Sequence, residues 1–196
     1  NHFSIKWNDY IWLINKMKKV ILHNKQFKLF LDSKEIISKI EDLAIKINTS
    51  FYDKCPIFLC VLNGSFLFAS ELIKRFNYNC EVSFIKLASY KGTQTTGNIK
   101  ELIGLNEDVK GRNIIVVEDI VDTGNTIFSV IKQLKNHQPK SVEIATLLFK
   151  PDAYQKNIPI NFPAFSVANH FLVGFGLDYN GLGRNLKDIY IIQENN

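Results

Sequence analysis

Val116-Val-Glu-Asp-Ile-Val-Asp-Thr-Gly-Asn-Thr126 is the stretch on which the reading of this chain turns. A buried-type apolar strand, residues 112–117, runs into two adjacent carboxylates, Glu118 and Asp119. Ile120 and Val121 follow, and then Asp122-Thr-Gly-Asn-Thr126 opens a helix whose inner face is Ile127, Val130, Ile131 and Leu134. Gly124 permits a tight backbone turn. The free N–H groups at the helix start, with the Thr123 and Thr126 hydroxyls, make an anion cradle. Carboxylates beside a phosphate cradle suit a ligand that carries both a diol and a phosphate. The plain alternative, an N-capping Asp on an ordinary helix, explains one residue of the eleven and leaves the acidic pair unexplained. No GxxxxGK[ST] loop is present, and Gly174-x-Gly176 has Tyr179 where the third glycine of a dinucleotide fingerprint belongs.

Outward from this stretch the chain alternates. Asp32-Ser-Lys-Glu35 resembles a capping box, and Ile36, Ile40, Leu43 and Ile47 recur after it at helical spacing. Residues 56–62 form a continuous apolar run, the pattern of a strand covered on both faces. Asn63-Gly64-Ser65 breaks that run, and residues 66–76 are helical again. Residues 81–90 read as strand, 91–99 as a polar loop rich in Gly and Thr, and 141–149 as a third strand. The tail from Pro151 carries short strands and turns, including residues 171–173 and 189–192. Strand and helix alternating at this spacing predict right-handed βαβ units around a parallel sheet, with ligands beyond the carboxyl ends of the strands.

Composition narrows the classes. A chain of 196 residues with 46% hydrophobic side chains and 22% charged ones suits one globular domain. Residues 1–16 read as an N-terminal extension before Met17, the only methionine, and residues 17–196 as a single domain. The net charge of +5 favours anionic ligands weakly, and no basic run interleaved with aromatics points to nucleic acid. No apolar stretch reaches the roughly 20 residues of a membrane span. Residues 10–14 are too short for a signal peptide and lack a basic flank, so a cytoplasmic protein is expected. Cys55, Cys60 and Cys80 lie in or beside apolar runs and read as buried, reduced thiols. His2, His23 and His137 form no ligand pattern, so no zinc site is expected.

The string 116–126 resembles the signature by which type I phosphoribosyltransferases bind 5-phosphoribosyl 1-pyrophosphate (PRPP), in its hypoxanthine-guanine form. The resemblance extends from about residue 18 to residue 194. It implies an α/β fold with a central, mostly parallel sheet flanked by helices and a small hood built from the C-terminal segment and N-terminal elements. It implies that Glu118 and Asp119 hold the ribose hydroxyls, that Asp122 is the general base near the purine N7, and that residues Asp122, Thr123, Gly124, Asn125 and Thr126 hold the 5′-phosphate. Leu62-Asn63-Gly64-Ser65 resembles the family's pyrophosphate loop, although many relatives have Lys where this chain has Asn63. Ser89-Tyr90 opens a segment that resembles the mobile lid.

On the base side, Leu147-Leu-Phe-Lys150 is similar to the segment whose Lys donates to the purine 6-oxo group. Residues 171–179 resemble the purine-stacking and metal-binding strand: Phe171 for stacking, the Leu172 backbone for the base edge, Asp178 beside the metal. Arg184 matches an arginine that contacts pyrophosphate. His170 stands where many relatives have Lys, and Gly181 and Gly183 replace bulkier residues. The resemblance implies Mg²⁺, with Glu118, Asp119 and Asp178 as its carboxylates. It implies PRPP and a 6-oxopurine as substrates, a homodimer or homotetramer, and no nucleic-acid or membrane partner. A rival reading is a PRPP-sensing regulator of the same fold that binds nucleic acid. The Asp122 position, the lid and the base-side segments argue against that rival.

Overall fold

The computed structural model describes residues 19–88, 100–103 and 108–193. Residues 1–16 and the lid residues Ser89 and Tyr90 lie outside the described residues. Two sheets are present. The larger has six strands: β3 (Ile57–Val61), β4 (Glu81–Ala88), β5 (Lys100–Ile103), β6 (Asn113–Val121), β7 (Ser141–Phe149) and β8 (Phe162–Ser166), in the order β5-β4-β3-β6-β7-β8. All neighbouring pairs from β4 to β8 are parallel, and β5 joins the edge antiparallel.

The apolar runs explain this sheet. Every residue of β3 is buried, as both faces of a helix-covered parallel strand require. Alternate residues split between two cores. Phe58, Cys60, Ile115 and Val117 pack with helices α1 (Ser33–Phe51) and α2 (Phe66–Ile73). Ile57, Leu59, Val61, Ile114 and Val116 pack on the other face with Ile127, Val130, Ile131 and Leu134 of α3 (Asn125–Lys135). The helical spacing in α1 is borne out: Ile36, Ile40, Leu43 and Ile47 are all buried. Its start is fixed by Asp32, whose Oδ1 accepts the Glu35 N–H at 2.9 Å.

The smaller sheet forms the hood. It pairs β1 (Lys19–Leu22), β2 (Lys25–Leu31), β10 (Ile189–Ile192) and β9 (Leu172–Val173) in the order β1-β2-β10-β9, so both ends of the described chain meet there. Phe27, Val173 and Tyr190 make its own small core.

Three readings from sequence need correction. The strand before the acidic pair does not end at Val117: β6 continues to Val121 and stays in register with β7, pairing Glu118 with Thr146 and Val121 with Phe149. The β1–β2 hairpin, β5 and β8 were not identified as strands. The thiols are not uniformly buried: Cys60 is, Cys80 is half-buried, and Cys55 is exposed. Cys55 precedes β3 and adopts a left-handed φ of 41°, outside the apolar run that shelters Cys60. Among the described residues, no helix is long and apolar enough to cross a membrane.

Candidate active site

The carboxyl ends of β3, β6 and β7 lie side by side, as the parallel order dictates, and the segments that leave them form the site. From β6 come Glu118 and Asp119, each only 7% exposed although carboxylates are rarely buried. Asp119 Oδ1 accepts the Ile120 N–H at 2.9 Å, while Glu118 Oε2 has no hydrogen-bond partner. Burial pushes the Glu118 carboxyl well above its ordinary 4.5, and the charge and hydrogen bond of Asp119 push it the same way. Burial also raises Asp119 above 3.8, outweighing its bonds to Glu118 and Ile120 and the positive charge of Arg184. Both carboxyls of the pair therefore resist ionisation more than exposed ones do. A buried oxygen left unpaired costs about 1–3 kcal/mol, which a hydroxyl or cation arriving there would recover.

Beyond Val121 the chain turns through Asp122 and Thr123 into α3. Gly124 has φ +83°, a left-handed conformation that glycine adopts without strain, and a Cβ there would collide with the Tyr154 ring. No side chain caps α3, and its first turn lines a cavity of about 230 Å³. Glu118, Asp122, Thr123, Gly124, Asn125 and Thr126 line that cavity. This is the arrangement expected of an anion cradle.

From β3 comes the loop Leu62-Asn63-Gly64-Ser65, with a cis peptide between Leu62 and Asn63. Gly64 is held against Asp119 so closely that a Cβ would overlap the carboxylate. Its other neighbour is Gly176: a Cβ on that residue would strike the Gly64 carbonyl oxygen. The loop is thus clamped between Asp119 of β6 and the turn that follows β9, and glycines at 64 and 176 make the close approach possible. Asn63 itself is exposed.

Lys150 leaves β7 and is nearly buried, yet it reaches back to the signature. Its Nζ donates to Asp122 Oδ2 at 2.8 Å and to Asn169 Oδ1 at 3.2 Å. The resemblance implies separate roles for Asp122 and Lys150 and gives no sign of their contact. Asn169 was not singled out at all; its only signal was its place just ahead of Phe171.

On the hood side, Phe171 keeps 46% of its surface exposed while lying edge-on to Tyr179, with ring centroids 5.8 Å apart. Leu172 is fixed by pairing with Ile191, and its side chain is buried. Arg184 is held by two partners despite the flanking glycines. It donates to the Gly176 carbonyl at 2.7 Å and pairs with Asp178 at 2.5 Å. Asp178 also accepts the Gly181 N–H at 2.7 Å. Among the described residues no three acidic, His or Cys side chains converge as a ready-made metal cage.

Comparison with known proteins agrees with this geometry. Residues 27–180 match the phosphoribosyl transferase domain family. The chain is 34% identical over 169 residues to the hypoxanthine-guanine-xanthine phosphoribosyltransferase of Tritrichomonas foetus, covering 85% of this chain and 92% of that one. It is 37% identical over 167 residues to the hypoxanthine-guanine phosphoribosyltransferase of Lactococcus lactis subsp. lactis, covering 85% and 91%. Among solved structures, a hypoxanthine-guanine phosphoribosyltransferase from Bacillus anthracis superposes with a TM-score of 0.80 at 32% identity, covering 85% of this chain and 98% of that one.

Proposed function

The chain belongs to the phosphoribosyltransferase family, and we propose that within it the protein is a purine-salvage enzyme, transferring the phosphoribosyl group of PRPP to hypoxanthine or guanine with release of pyrophosphate. The observation that carries this reading is the end of β6. There Glu118 of the buried acidic pair, the uncapped helix start and Asp122, the ion-pair partner of Lys150, line one cavity.

The purine N9 attacks C1′ of the sugar as pyrophosphate departs. The start of α3 holds the 5′-phosphate, and Glu118 and Asp119 accept the ribose hydroxyls. Asp122 takes the N7 proton, leaving its Oδ2 on Lys150. Lys150 donates to the 6-oxo oxygen, and the exposed face of Phe171 stacks on the base. Gly64, with Asn63, and Arg184 stand where pyrophosphate leaves. Holding base and sugar in line supplies about 7–11 kcal/mol of the barrier reduction through orientation.

A divalent cation fits the donors present. Glu118 Oε2 is a buried acceptor without a partner, and Asp119 and Asp178 add carboxylates. Mg²⁺ takes one or two carboxylates and completes its shell with substrate oxygens and water, so a full protein cage is not needed. When bound it neutralises charge on the leaving pyrophosphate. Ser89 and Tyr90 are proposed as the lid that excludes water, and assembly as a homodimer or homotetramer is proposed with them.

Incubation with labelled hypoxanthine, PRPP and Mg²⁺ tests the reading. Inosine monophosphate and pyrophosphate should appear in equal amounts. Tight PRPP binding without nucleotide formation, from either hypoxanthine or guanine, would replace it with a sensing role.

A further inference from the structure

Lys150 and Asn169 belong to neighbouring strand ends. Lys150 directly follows β7, and Asn169 sits in the connection between β8 and β9, two residues ahead of Phe171. The β7 and β8 ends are tied by the Val167 N–H, which donates to the Phe149 carbonyl at 2.8 Å. The Lys150 side chain is 7% exposed, so its charge has few water contacts. An ammonium has three N–H donors. One goes to Asp122 Oδ2 at 2.8 Å and one to Asn169 Oδ1 at 3.2 Å. The third has no protein acceptor among the described residues.

The two acceptors do different work. A lysine ammonium is a point charge on a flexible four-carbon stem, and a single carboxylate fixes its position but not its rotation. A second acceptor removes that rotation and aims the remaining N–H. We propose that Asn169 is a positioning residue: its Oδ1 orients Lys150 so that the third N–H is presented to the 6-oxo oxygen of the purine. Asn169 is exposed, so this role is separable from core packing. The inference rests on the base-side assignment of Lys150 given above.

A double-mutant cycle tests it, with KM and kcat measured for hypoxanthine and for PRPP in the full chain. Asn169→Leu keeps the shape and removes the acceptor. It should raise KM for hypoxanthine about tenfold and leave KM for PRPP within about twofold. Asn169→Asp, which keeps the acceptor, should recover most of the loss. In a Lys150→Ala background, Asn169→Leu should add nothing further, because the group it orients is gone. Losses that multiply in the double variant would overturn the inference alone, as would an unchanged KM for hypoxanthine in Asn169→Leu. If Lys150→Ala leaves hypoxanthine kinetics intact, the base-side assignment fails, and this inference with it.

Discussion

At the scale of single residues, the site is a set of carboxyl groups in unequal surroundings. Asp122 is partly exposed and ion-paired, whereas Glu118 and Asp119 are buried, which pushes both carboxyls above their ordinary values. Asp122→Asn should slow nucleotide formation about 10²–10⁴-fold with little change in PRPP affinity. Because Asp122 also holds Lys150, KM for hypoxanthine should rise as well. Steady-state kinetics with near-parental kcat would remove Asp122 from catalysis. The acidic pair predicts a pH effect on stability. Both folded-state pKa values lie above the ordinary ones. The stability they lend is therefore full below the ordinary carboxyl range and is lost as pH rises through the raised values. Ligand-free protein should lose Tm on that climb, and Glu118→Gln, which cannot ionise, should lose much less. A Tm difference between the two proteins that stays flat with pH would refute the raised titration of Glu118. The clustering of the three acids at one strand end was legible in the signature. The Asp122–Lys150 contact was not, because the two residues are 28 positions apart and only the pairing of β6 with β7 brings them together.

At the scale of elements, legibility followed how local the determinant was. The start and inner face of α1 depend on Asp32 and a helical period, both readable within one window. Asp32→Ala should cost about 1 kcal/mol of stability in denaturant unfolding and leave kcat/KM unchanged. A fall in kcat/KM would mean that the helix start reaches the site. The end of β6 was hidden because charged residues are poor strand formers, and two in a row read as a break. The ladder to β7 overrides that preference. β8 was hidden by Pro163, which is tolerated because β8 is an edge strand. The hairpin of β1 and β2 is rich in Lys, and β2 gains its second neighbour only from β10 at the far end of the chain.

At the scale of the whole molecule, two sheets of different construction meet over the proposed ligand site. The parallel sheet carries the residues proposed to hold phosphate and sugar, and the antiparallel hood carries Phe171 and Leu172, proposed for the base. All the described site residues lie between 62 and 184, so a chain beginning at Met17 should keep its kinetics. Loss of activity in that shortened protein, with the remainder folded, would show that residues 1–16 contribute to the site or its support. At one point of the junction between the sheets backbone meets backbone, Gly176 against the Gly64 carbonyl, with no side chain between these two residues to absorb a displacement. Any shift of the hood that accompanies a seated purine therefore presses directly on the loop proposed to hold pyrophosphate. The two ends of the site are in this sense one thermodynamic object. Whatever factor the purine lends to pyrophosphate affinity, pyrophosphate must return to the purine.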